Sequence, residues 1–160
     1  MPIQLLINLL IAFLWMFFQD SWHFISFLGG YLVGLFILFS MRRFFKVRFY
    51  LITLWAVVKL LIVFIRELIS SSVLVVRQIM KPKLNITPGI FKMNTELETD
   101  TEVALLSLLL TLTPGSVVME VTPDRKTLYI HALDIPESSD AVIKSTKVFE
   151  KAIKDVTRYV

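Results

Sequence analysis

The residues best suited to handling charge lie between positions 59 and 78. Lys59, Arg66, Ser70 and Arg77 follow spacings of 7, 4 and 7, and Glu67, Ser71 and Gln78 sit close beside them. At 3.6 residues per turn these spacings draw one narrow polar stripe along an otherwise apolar helix. A carboxylate and cations held in apolar surroundings either meet partners in a neighbouring chain or line a route for an ion. Lys59, Arg66 and Glu67 are therefore the candidates for an ion path or for polar contacts between subunits. Arg66 and Glu67 are adjacent, so they point about 100° apart and do not pair with each other. Asp20 is a further candidate cation ligand, but its surroundings read as a solvated loop or the N-cap of a following helix.

Other chemistries find no support. The chain has no cysteine and two histidines, His23 and His131, which fall in different segments. That excludes a disulfide framework, a thiolate nucleophile and a cysteine-based metal site. His131 lies mid-strand on the face of Tyr129 and reads as structural. Glu96, Glu98, Asp100 and Glu102 alternate as a solvated acidic surface. There is no Gly-rich phosphate loop and no Ser/His/Asp set. The expectation is a chain with no catalytic residues, no metal and no cofactor.

The elements that must position these groups are mostly membrane helices. The 160 residues are 56% hydrophobic with a mean hydropathy of +0.71, above the usual soluble share. Residues 2–18 form a first apolar helix with Asn8 turned toward protein and Gln4 at the interface. Residues 22–39 form a second. A short connection, 19–21, makes them an antiparallel hairpin. The basic run Arg42, Arg43, Lys46 and Arg48 then marks the cytoplasmic end. Ser26, Gly30 and Gly34 recur every fourth residue, a face that allows close helix approach. Residues 1–84 hold nine Lys/Arg and two acids, and residues 85–160 hold eight and eleven, so a net +7 opposes a net −3. The positive charge belongs to membrane flanks, which argues against a nucleic-acid partner.

Residues 49–81 contain no Gly or Pro and read as one long helix. Two placements compete. In one, residues 49–65 make a third span with Lys59 snorkelling. In the other, which the charges favour, the helix lies along the cytoplasmic interface or against partner subunits. Lys81-Pro82-Lys83 ends it. A soluble texture follows: a strand near 90–97, a capped helix at 103–112, a hairpin of 116–122 and 127–133, and a helix capped by Ser138 or Ser139 that runs to Tyr159. Its apolar side carries Ile143, Val148, Ile153 and Val156. On the first hairpin strand Val118, Glu120 and Thr122 point one way. Val117, Met119 and Val121 point the other. The predicted architecture is two transmembrane helices and a long amphipathic third helix, followed by a small β-α-β-β-α cytoplasmic domain of the α+β class. Its boundaries are 1–48, 49–84 and 85–160.

Several motifs, in this order and spacing, resemble a known family. They are Asn8 and Trp15, Gly29-Gly30 with Gly34, the run Glu67 to Ser72, Pro88-Gly89-Ile90, Leu112 to Ser116, and the hairpin Asp124 to Asp134. The chain is similar to the E subunits of the Mrp-type (Mnh or Sha) multisubunit cation/proton antiporters of bacteria. Ser116 stands where that pattern has Thr more often, and Ala132 where Val is typical. The resemblance implies an accessory subunit of a hetero-oligomer in the bacterial plasma membrane, whose other subunits exchange Na⁺ for H⁺. Its partners would be those subunits and membrane lipid. The residues expected to matter for packing and assembly are Asn8, Ser26, Gly30, Gly34, Thr113, Pro114 and Gly115. The competing reading is a free-standing, membrane-tethered binding or regulatory module.

Overall fold

A computed structural model describes residues 2–44, 49–83 and 86–158. Lys46 and Arg48 of the basic run, and Tyr159, where the sequence ends the last helix, lie outside the described residues. The chain divides into two compact units, the first reaching Trp55 and the second spanning Ala56–Arg158.

In the first unit, helices α1 (Pro2–Phe18) and α2 (Phe24–Ser40) pack together, and a 3₁₀ turn follows at Met41–Phe44. Phe24–Arg43 is long and apolar enough to cross a membrane. The helices are built from Leu, Ile and Phe with no charge, so their outer faces stay apolar. Ile25, Phe36 and Phe18 are among the most exposed side chains. α1 stops at Asp20, which takes the left-handed backbone (φ 44°). Its N–H bonds Phe17 O, and the Ser21 N–H reaches back to Met16 O, both at 3.2 Å. This paired closure satisfies the carbonyls a helix end leaves open. Asp20 thus ends α1, while His23 is the N-cap of α2.

The small-residue face of α2 is used inside the chain. A Cβ on Gly30 would lie 2.6 Å from Trp15 Cβ and 2.9 Å from the Ala12 backbone, and one on Gly34 would overlap Asn8 Oδ1. Helix α3 (Tyr50–Ile79) begins in this unit. Tyr50 donates its backbone N–H to Gln4 Oε1 at 2.9 Å, so α1 supplies the acceptor that the first turn of α3 lacks. Gln4 is therefore buried, where the sequence placed it at an interface.

In the second unit three strands, β1 (Gly89–Asn94), β2 (Ser116–Val121) and β3 (Thr127–Ala132), form an antiparallel sheet in the order β1-β3-β2. Ile90, His131 and Val117 share one cross-strand row. Helices α4 (Asp100–Leu112) and α5 (Ile135–Thr157) enclose the core with Leu106, Leu110, Leu128, Ile130, Phe149 and Ile153. Leu60, Val63 and Phe64 of α3 pack against that core.

Three local expectations change. A bulge between Val118 and Glu120 leaves Met119 unpaired and 62% exposed, so Val118 and Val121 both turn to the core. α5 starts earlier, with Asp134 as N-cap and Pro in the first turn, where a missing N–H is harmless. That start puts Val142, Thr146, Phe149 and Ile153 inward, while Ile143 and Val148 face outward. Finally Glu102, read as part of an acidic surface, is buried.

Candidate functional site

The structure brings two sequence motifs to one cleft. Glu67, Ser70, Ser71 and Leu74 of α3 form one wall, Thr113 to Ser116 a second, and Ala141, Val142 and Ser145 of α5 a third. The cleft holds about 60 Å³, room for about two waters.

Each wall has a local cause. Thr113 leaves the α4 helix in extended backbone, and its hydroxyl donates to Leu110 O at 2.8 Å. Pro114 cannot extend a helix. Gly115 has φ 96°, a conformation favouring glycine, and a Cβ there would press Val75 Cγ2 at 3.3 Å. The Leu133 N–H then bonds Gly115 O at 2.9 Å, tying the turn to the end of β3. Ser116 also donates to Leu110 O. On α3, Ser71 donates to Glu67 O at 2.7 Å, and on α5 Ser145 donates to Val142 O.

These hydroxyl protons are directed at helix carbonyls, so the oxygen lone pairs are left for the cleft. Glu67 is half-buried, and its carboxylate makes no hydrogen bond or ion pair among the described residues. Among the described residues it is the single acid of the lining. The carboxyl end of α4 adds the negative end of its dipole. The cleft is thus electronegative, and the chemistry it accepts is a small cation or a cationic side chain.

The other residues of the polar stripe go elsewhere. Lys59 bonds Asp155 of α5 at 2.9 Å, a pairing within the chain. Arg66 and Arg77 are exposed and make no ion pair among the described residues. His23 is exposed, and His131 borders a wider groove on the far side of the Thr113–Gly115 turn.

The acidic run is held by cations. Lys154 bonds Glu96 and Arg125 bonds Asp100, both at 2.8 Å, while Arg158 lies 3.2 Å from Glu98. Glu102 accepts from Thr157 Oγ1 at 2.5 Å and Arg158 Nε at 3.3 Å, and from the backbone N–H of Glu98 and Thr99. Burial alone would raise its carboxyl pKa, but these donors outweigh burial and hold it down at about 2. No group of three or more His, Cys, Asp or Glu able to hold a metal occurs among the described residues.

A second polar cluster lies in the first unit. Asn8 Nδ2 donates to Tyr50 Oη at 2.8 Å, and Tyr50 Oη and Tyr31 Oη are 2.9 Å apart. Asn8 is fully buried. Sequence reasoning found Asn8 but missed Tyr31 and Tyr50. Aromatic residues in apolar runs carry no positional signal of their own. Ser26 lies 2.8 Å from Ser21 at the opposite end of α2.

Comparison with known proteins gives a consistent pattern. A family model described as Na⁺/H⁺ ion antiporter subunit matches residues 8–156. The chain is 47% identical over 158 residues to the Na⁺/H⁺ antiporter E subunit of Bacillus subtilis (strain 168), covering 99% of this chain and all of that relative. It is 44% identical over 158 residues to the corresponding E subunit of the Na⁺/H⁺ antiporter of Alkalihalophilus pseudofirmus, with the same coverage. Among solved structures, one chain of an archaeal respiratory membrane complex, the membrane-bound sulfane sulfur reductase, matches with a TM-score of 0.55 at 23% identity. The match covers 96% of this chain and 98% of that one, and it speaks to the fold.

Proposed function

Because the chain belongs to the family of Na⁺/H⁺ antiporter E subunits, we infer that it is a non-catalytic accessory subunit needed to assemble its complex. Its Glu67 cleft would border an ion path between subunits. In this reading α1 and α2 cross the bilayer, the basic turn after α2 marks the cytoplasmic side, and the sheet unit stays in the cytoplasm. The segment 1–48 is the membrane hairpin, 49–84 the amphipathic connector and 85–160 the cytoplasmic domain. Two observations support α3 as a connector instead of a third span. Leu60, Val63 and Phe64 are taken up by the sheet unit's core, and Lys59 by an ion pair with that unit.

The hairpin contributes to assembly through its internal fit. Asn8, Gly30 and Gly34 hold α1 against α2, and Ser26 bonds near their outer connection. The apolar outer faces then meet lipid and neighbouring subunits. Thr113, Pro114 and Gly115 contribute by holding the cleft wall at a fixed distance from α3.

The observation that carries the ion-path reading is the half-buried Glu67 carboxylate, with no ion pair among the described residues, in a cleft rimmed by hydroxyls and a helix carboxyl end. Glu67→Gln keeps the shape and removes the charge. A complex that assembles normally on a native gel but loses antiport or sodium affinity several-fold supports the path. Wild-type sodium affinity and rate in an assembled complex end it. Purification of the chain without companion membrane proteins would end the assembly reading.

A further inference from the structure

The polar stripe explains only one margin of α3. The side of the helix that borders this stripe is apolar and bare. In the second unit Ile62, Ile65, Ile69, Val73, Val76 and Met80 are 44–79% exposed. Their steps are 3, 4, 4, 3 and 4, which at 3.6 residues per turn keeps them within about 80° of one another. The row is about 27 Å long at 1.5 Å per residue. The buried side of the helix, with Phe64, Ser71 and Gln78, lies opposite. The row is therefore a face that the sheet unit leaves uncovered.

Charge distinguishes what covers it. Arg66 and Arg77 stand along one margin of the row, exposed and without an ion-pair partner among the described residues. Glu67 is the only acid in α3, and it turns away into the cleft. Basic residues flanking an exposed apolar row match a surface with apolar depth and anionic heads. A protein partner would need acids on one edge of an apolar groove. A bilayer surface offers both everywhere. The geometry points to α3 lying flat in an anionic lipid surface, with the row from Ile62 to Met80 in the acyl boundary and Arg66 and Arg77 at the headgroups. This rests on the reading of the α1–α2 hairpin as membrane-spanning, and it names lipid as the connector's own ligand.

Single cysteines at Ile62, Ile69 and Val76, carrying a nitroxide, would test it, since the chain has no native cysteine. A fourth label at Phe36 of α2 serves as control. The assembled complex, with other subunits' cysteines replaced, is placed in vesicles of phosphatidylcholine containing phosphatidylglycerol. Relaxation is then compared with oxygen and with a water-soluble nickel chelate. The inference expects oxygen to exceed nickel at all three α3 sites, at one common shallow depth. Arg66→Gln with Arg77→Gln should raise nickel access at Ile69 at least twofold. Nickel dominance in the parent protein overturns the inference, as does shielding from both reagents, which would mean a protein partner. Depth changing steadily from Ile62 to Val76 would also overturn it, since that describes a third span. The Phe36 control separates the two readings: if it is not deep, the hairpin reading fails whatever α3 shows.

Discussion

The two units bury polar groups in different ways. In the hairpin unit the buried polar side chains among the described residues are neutral: Gln4, Asn8 and Thr53, with the Tyr50 hydroxyl beside them. In the sheet unit they include carboxylates: Glu102, Asp134 and Glu150. Each of those carboxylates is fed by donors. Glu150 accepts from Thr95 Oγ1 and the Glu96 N–H, and Asp134 from the Thr87 N–H. A neutral amide costs less than an ion when a partner is missing, as for Asn8 Oδ1, which has none among the described residues, whereas an ion needs several donors when water is removed. A unit whose outside is also apolar has no ready source of such donors. The choice of buried group therefore follows the donors that each unit's own packing supplies.

The comparison can be broken first at the hairpin. Gly34→Leu forces a side chain into Asn8 Oδ1 and toward Ile11, whose Cβ would lie 3.2 Å from the new Cβ. The expected result is a fall of more than tenfold in chain recovered with its complex on a native gel. Wild-type recovery would show that the glycine face tolerates bulk.

Next comes Glu102→Ala in the sheet unit. It removes the acceptor for Thr157, Arg158 and two backbone N–H groups at once. The expected loss is about 3 kcal/mol, since breaking a buried charge pair and a helix cap together costs on that order. Limited proteolysis of the full chain, following cleavage between Glu98 and Arg158, would read it.

The same residue sharpens the comparison through pH. The Glu102 carboxyl is held at about 2 in the fold against an ordinary 4.5. A depressed carboxyl favours folding once it is ionised. Its contribution is full above pH 4.5 and is lost as pH falls toward 2, a span worth about 3 kcal/mol. The sheet unit should therefore open in acid, and Glu102→Gln should flatten that dependence. The hairpin unit, with neutral buried groups, should keep its helical circular dichroism over the same range.

Pro114→Gly is expected to act more mildly. It frees the backbone between Thr113 and Gly115 and should lower antiport two- to fivefold with modest loss of complex, measured in vesicles at matched protein. Unchanged activity would leave the turn a simple helix stop.

The smallest effect belongs to the Lys59–Asp155 pair, whose side chains are 50% and 31% exposed. Solvent screens such a pair, so Asp155→Asn should cost under about 1 kcal/mol.

What was legible in the sequence was whatever depends on neighbours along the chain. Runs of Leu, Ile and Phe determined the apolar helices, and Pro82 and Pro114 marked two stops. Alternation and turn residues set the β-α-β-β-α order. These signals are local because helix and strand periods repeat within a few residues. A capped start to the helix at 103–112 was legible too, and the structure makes that cap a box of Thr99 and Glu102. Only the tertiary structure decided that Glu102 is buried, because Thr157 and Arg158 arrive from more than fifty residues away. It likewise decided that Gly30 and Gly34 meet α1 of the same chain, that Met119 bulges, and that Glu67 faces the Thr113–Gly115 turn. A glycine face or a lone carboxylate states what it needs without naming its partner. Partners are chosen by how distant segments pack, and no window of sequence contains both sides of that contact.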